Sequence, residues 1–203
     1  MRLYVHPASY NARRARAVVH HLQLPVQLIT CDLMSGAQHH PEFLALNPNG
    51  KVPVLVDGDF VLWESMAILQ YLAEQTPNDL WPNNARARAD ITRWQAWDLA
   101  QYGRCADVFL FENVLKGLFG LGPPSPEALA QASHRIRGHL AVLDQHLAHR
   151  AWVCGDTLTL ADFSLAASHE TALAAGAPVD DAPHVRRWIE TVQALPSWRA
   201  AKE

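Results

Sequence analysis

Cysteine is scarce in this chain, with three residues, Cys31, Cys105 and Cys154, in 203. Their odd number, wide spacing and lack of a C-x-x-C pair argue against a disulfide framework and a zinc site, and they read as buried packing residues. Long apolar runs are also missing. No stretch reaches the roughly 18 apolar residues of a membrane span, and Met1-Arg2-Leu3-Tyr4-Val5-His6-Pro7 is too short an apolar start for a secretory signal, so no membrane partner and a cytoplasmic location are expected. Excess positive charge is lacking as well. With 17 Lys and Arg against 20 Asp and Glu, the net charge of −3 offers no field for nucleic acid, and Arg13, Arg14 and Arg16 form only a local basic spot. Histidine is plentiful at 11, yet no metal is expected. His20-His21 and His39-His40 are adjacent pairs, and His134, His139, His146 and His149 lack carboxylates at ligand spacing.

What is there is a 49% apolar, 18% charged chain, long enough for one large domain or two small ones. Leu3-Tyr4-Val5 reads as a strand, and Ala15, Val18, Val19 and Leu22 recur on one face of a helix. Residues 26 to 31 read as a second strand, completing a βαβ unit. A polar loop and a short helix over residues 41 to 46 follow. Val52 to Val56 and Phe60 to Leu62 are β-rich runs around an Asp57-Gly58-Asp59 turn, and Ile68, Leu69 and Leu72 form the stripe of the next helix, with Ser65 at its N-cap. The order βαβ-α-ββα gives an α/β domain over residues 1 to 76. Residues 77 to 84 break every pattern and read as a linker. From 85 to 203 the periodicity is helical only, with one long helix or two over 85 to 116 and a stripe at Ile136, Leu140, Leu143 and Leu147. Thr159 and Asp162 stand in capping-box relation ahead of another helix.

Three places carry chemistry. A proline entering a strand removes a ladder donor, so Val52-Pro53 is either an edge strand or a bend, cis if the Val52 backbone is to pair with an extended, peptide-like ligand. Ser65 is either a plain cap or part of a helix terminus that receives a carboxylate, and Glu64 is an acid placed to meet an ammonium. The bend HPASYN sets Ser9, Tyr10 and Asn11 where a hydroxyl or carboxamide can donate to a ligand, or where Asn11 simply caps a helix.

The blocks YVHPASYNARRARAV, LNPNGKVPVL, WESMAILQYL and TLTLADFSLA, in this order and spread over most of the chain, resemble the cytosolic glutathione S-transferases, in particular bacterial members close to the serine-type theta, phi and delta classes. The resemblance implies a thioredoxin-like first domain and an all-helical second domain. It implies a cis Pro53, Val52 pairing through its backbone with the cysteinyl part of glutathione, Glu64 and Ser65 holding the γ-glutamyl end, and His39 or His40 with Lys51 facing the glycyl carboxylate. Ser9, with Asn11 as second donor and Tyr10 as an alternative, would stabilise the glutathione thiolate. A cleft lined from Trp97, Tyr102, Arg104, Phe109 and Phe111 would take a small, mostly apolar electrophile, and the protein would be a homodimer. The alternatives are a non-catalytic module of the same fold and a glutathione-dependent dehalogenase, isomerase or peroxidase.

Overall fold

Capping and period decide where each element of the first unit begins. The computed structural model describes residues 1–202, arranged as two units, Met1–Trp81 with Ala194–Glu203, and Pro82–Gln193. In the first unit β1 (Arg2–Val5) leads to α1 (Tyr10–His21), β2 (Gln27–Thr30), α2 (Pro41–Leu44), β3 (Val54–Asp57), β4 (Phe60–Trp63) and α3 (Ser65–Ala73). The sheet order is β2-β1-β3-β4. β1 runs parallel to β2 and antiparallel to β3, and β4 is antiparallel to β3. Leu3 and Val5 are buried, while Tyr4, on the opposite face by the two-residue period of a strand, meets Phe43 of α2 edge-on. α1 and α3 pack on each other through apolar faces that bury Ala15, Val18, Ile68, Leu69 and Leu72.

Two boundaries differ from the sequence reading for plain reasons. β3 starts at Val54, not Val52, because Pro53 has no N–H to give to a ladder. Asp57 pairs with Phe60, so the hairpin turn is Gly58-Asp59, with Gly58 at φ 60°, a conformation glycine adopts without steric cost.

The second unit is helical. α4 (Ala85–Trp97), α5 (Gly103–Leu110) and α6 (Lys116–Phe119) form one unbroken rod through residues 98–102 and 111–115. In both joints the helix loosens to i→i+5 bonding, Gly103 N–H donating to Asp98 and Lys116 N–H to Phe111. The first joint needs a glycine beside it, since a Cβ on Gly103 would sit 2.9 Å from the Asp98 carbonyl oxygen. α7 (Pro126–Leu147) starts at the Ser125 cap, whose own N–H donates to Glu112 at 2.6 Å. α8 is Leu160–Ala174 and α9 is Pro183–Ala194. At the start of α8 the buried Asp162 accepts from Thr159 N–H at 2.8 Å, Thr159 Oγ1 at 3.0 Å, Val153 N–H at 2.9 Å and Trp188 Nε1 at 2.9 Å. Burial pushes this carboxyl up, and the four donors pull against it.

One expectation fails at the C-terminus. Residues from Ala194 onward belong with the first unit, whereas the sequence reading left them in the helical domain. α10 (Pro196–Ala200) packs on α1, with the Arg13 guanidinium 4.2 Å from the Trp198 ring centroid and Ser197 Oγ 3.4 Å from His21 Nδ1. A buried Trp outweighs chain order here.

Candidate functional site

Strand direction gathers the candidates. With β1 and β2 parallel and β3 opposed, the C-terminal ends of β1, β2 and β4 and the N-terminal end of β3 lie at one end of the sheet. Ser9 follows β1, His39 and His40 follow β2, Val52-Pro53 precede β3, and Glu64-Ser65 follow β4. The topology therefore brings the segments that carry Ser9, Val52-Pro53 and Glu64-Ser65 to one end of the sheet, the end at which open α/β sheets hold ligands.

Ser9 is the N-cap of α1, and its Oγ accepts the Ala12 N–H at 3.2 Å. Accepting with its oxygen leaves the hydroxyl proton to donate elsewhere. Ser9 is half-buried at the terminus where the unpaired N–H groups of a twelve-residue helix concentrate positive potential. Asn11 is not the cap; it lies inside the first turn, and its Oδ1 receives the Ser65 hydroxyl at 3.4 Å. That contact occupies the carbonyl side of the carboxamide. Tyr10 turns its ring along the helix toward Arg14, whose guanidinium is 5.1 Å from the ring centroid.

Ser65, taken from sequence as the cap of α3, is its first helical residue; Glu64 is the cap, with no side-chain cap bond. Glu64 has φ 73°, a sparsely populated conformation for a residue with a Cβ, and its side chain is exposed. Ser65 is buried.

The Val52–Pro53 peptide is cis. Val52 precedes the first laddered residue of β3, so the β1–β3 pairing does not engage its backbone. Asn47, to which the sequence reading gave no role, organises the approach to it. Asn47 is buried; its Nδ2 donates to the Lys51 carbonyl at 2.7 Å and its Oδ1 accepts from Asn49 N–H at 3.0 Å. An Asn followed by Pro and, two residues on, Gly was the available signal for such an Asx turn.

His39 and His40 part company. The His39 ring packs over Gly50, where a Cβ would stand 3.1 Å from its Nδ1, immediately before Lys51. His40 is the backbone cap of α2. Both imidazoles and Lys51 are exposed. Cys31, the cysteine that follows β2, is buried, and burial together with Asp32 pushes its thiol up, so it is no nucleophile.

In the helical unit the expected apolar lining divides. Tyr102 and Phe109 are core residues and cannot line a site. Trp97 is half-buried, stacked on Tyr102. Arg104 is exposed and lines a cavity against α7. Phe111 is exposed, as are Val114, Leu118 and Phe119 further along the rod. His139 and His146 are ring partners of Trp97 and Trp94 rather than solvated surface. Among the described residues no group of three His, Cys, Asp or Glu is placed to hold a metal, and no helix is long and apolar enough to cross a membrane.

A thioredoxin-like sheet with a cis-proline, joined in one chain to an all-helical unit, defines the class. The family model for the glutathione S-transferase N-terminal domain matches residues 1–74, and that for the C-terminal domain matches residues 111–196. The chain belongs to the glutathione S-transferase family. It is 34% identical to glutathione S-transferase 3 of Zea mays, over 98% of this chain and 91% of that one. Among solved structures it superposes on glutathione transferase F7 of Populus trichocarpa with a TM-score of 0.91 at 27% identity, covering 98% of this chain and 96% of the other. Glutathione S-transferase-I, solved with lactoylglutathione bound, gives a TM-score of 0.87 at 25% identity, covering 99% and 97%.

Proposed function

We propose that this chain is a glutathione transferase in which the Ser9 hydroxyl donates to the sulfur of bound glutathione and holds it as thiolate. The observation that carries the reading is the Ser9 cap bond, which engages the hydroxyl oxygen with Ala12 and leaves its proton to donate. A free thiol of this kind has a pKa of about 8.5, so lowering it by about two units makes thiolate the major form at neutral pH and requires about 2.7 kcal/mol. One hydrogen bond to a charged group supplies about 1.5–3 kcal/mol, and the helix terminus adds to it. The thiolate then attacks an electrophilic carbon: the C–S bond forms, and the leaving group departs with its electron pair, or a conjugated acceptor takes up the charge and then a proton.

The remaining contacts follow from chemistry. Asn11, its carbonyl side turned to Ser65, presents its amide N–H groups as a second donor. Val52 pairs through its backbone with the cysteinyl residue, Glu64 receives the γ-glutamyl ammonium, and the backbone N–H of Ser65 at the start of α3 receives its carboxylate, the Ser65 hydroxyl being given to Asn11. His39 and Lys51 meet the glycyl carboxylate. Between the two histidines we assign His39, because it packs beside Gly50 while His40 serves as the cap of α2. The exposed apolar side chains Phe111, Val114, Leu118 and Phe119 suit an apolar second substrate. We further propose a cytoplasmic homodimer.

Retention on a glutathione matrix together with turnover of a chlorinated nitrobenzene supports this reading. Failure of both favours a non-catalytic module. Sedimentation at twice the chain mass supports the dimer, and sedimentation at the single mass contradicts it.

A further inference from the structure

The loosened turn 98–102 ends on Tyr102, whose phenol is fully buried. Its Oη lies 2.7 Å from Nδ1 of His169 on α8, which is only 3% exposed. Gly103 permits that approach: a Cβ there would stand 3.1 Å from Ser168 Oγ, so the bare backbone lets α8 lie close against α5. Burial lowers His169 to about 4, against the opposing pull of Glu170 and Asp180, so its imidazole is neutral at pH 7 and able to accept a proton. Burial, with Asp98 and Cys105 adding to it, pushes the Tyr102 phenol up, so it does not ionise as an ordinary acid. The pair continues into a line of rings. Trp97, half-exposed, stacks on Tyr102 with centroids 5.7 Å apart and planes 22° apart. Trp94 meets Trp97 edge-on at 5.3 Å, and beyond His169 the Trp188 ring lies 6.4 Å away. A helix loosened to i→i+5 bonding is a frequent mark of a functional site, and here it aims Tyr102 at a buried base.

We infer that Tyr102 and His169 form a redox-active tyrosine site, which receives oxidising equivalents delivered at Trp97 by a one-electron oxidant of the peroxyl-radical class. The oxidant takes one electron from the Trp97 ring and leaves as a peroxide anion, which picks up a proton from water. Tyr102 returns that electron to Trp97 through the ring stack, its O–H bond breaks, and the proton passes along the hydrogen bond to His169 Nδ1. The products are a neutral phenoxyl radical and an imidazolium, with His169 carrying its original proton on Nε2. A phenol that has lost an electron is a strong acid, so even a weakly basic imidazole takes its proton. Reduction by a thiolate reverses the step: the electron returns to the ring, the proton returns from His169, and a thiyl radical leaves. Packing alone does not call for such a pair, since two apolar residues of the same shape serve a core as well. A base held within hydrogen-bond distance in a dry core lets the proton move without water. The proposal does not depend on Ser9 or on glutathione binding, since its residues all belong to the helical unit.

The test is laser-flash oxidation of the full chain by ruthenium tris-bipyridine and persulfate, which stand in for the one-electron oxidant, read by freeze-quench electron paramagnetic resonance. A neutral tyrosyl radical is expected, and it should be lost in Tyr102→Phe although Tyr4, Tyr10 and Tyr71 remain. His169→Gln removes the proton acceptor and should lower the radical yield. Trp97→Leu should lower it too; this half-exposed position supplies a folded variant should a change at the buried pair impair folding. Formation in the parent chain should be slower in heavy water, a response that a purely structural hydrogen bond would not give. Absence of a tyrosyl signal in the parent chain overturns the proposal, as does the same signal in folded Tyr102→Phe. An unchanged yield in Trp97→Leu, or equal rates in light and heavy water, overturns it as well.

Discussion

The sheet end of the first unit and the core of the helical unit use polar groups in opposite ways. In the helical core the polar clusters around α8 are closed on themselves: Asp162 receives four donors, and Tyr102 Oη lies 2.7 Å from His169 Nδ1. At the sheet end the polar groups keep capacity in reserve. Ser9 uses its oxygen and retains its proton, Asn11 uses its carbonyl, and Glu64 is exposed on a strained backbone. A closed network rigidifies a core, whereas spare donors and an exposed acid await a ligand. The same residue types therefore read as structure in one unit and as site in the other.

Breaking the closed network should cost most. Asp162→Ala leaves Trp188, Val153 and Thr159 donors unsatisfied in the core, and chemical denaturation should show a loss of about 4 kcal/mol, with little change in the KM for glutathione if the protein is assayed where it is still folded. The second effect is a pH dependence. Burial lowers His169 from 6.5 to about 4, against the opposing pull of Glu170 and Asp180. The unfolded chain takes up a proton below about 6.5, and the folded chain does not until about 4, so the fold loses up to about 3 kcal/mol as pH falls across that window. Stability curves of His169→Gln should flatten over the same window; an unchanged slope would remove His169 from the account.

Smaller effects are expected at the open end. Ser9→Gly keeps an adequate helix cap yet removes the sulfur donor, and kcat/KM should fall about a hundredfold, the equivalent of about 2.7 kcal/mol, at nearly constant glutathione affinity. The gentlest test is Asn47→Ala. Freeing Lys51 and the approach to Val52 should raise the KM for glutathione about tenfold, about 1.4 kcal/mol, with kcat less affected; a fall confined to kcat would contradict a positioning role.

Much of this was legible in the sequence, and the failures have physical causes. The strand and helix order of the first unit followed from period alone, and the Thr159–Asp162 capping pair was visible as a motif. Neither cap was readable: Asn11 read as a cap of α1 and Ser65 as that of α3, but a cap is decided by backbone dihedrals, which place Ser9 at the start of α1 and, through a positive φ, Glu64 at the start of α3. Tyr102 and Phe109 looked like wall residues because an aromatic on a helix carries no mark of which neighbour it faces. The return of Trp198 to α1 depends on a contact across most of the chain, which no local window contains. Asn47 was readable in principle, but its value lies in the Lys51 carbonyl it holds, four residues away.

Titrating the thiol of enzyme-bound glutathione by the ultraviolet absorbance of its thiolate tests the central claim most directly. With Ser9 present the midpoint should lie about two units below the free thiol, near pH ~6.5, and in Ser9→Gly it should return to about 8.5. The same midpoint in both proteins would contradict the assignment of Ser9 as the group that keeps the sulfur ionised.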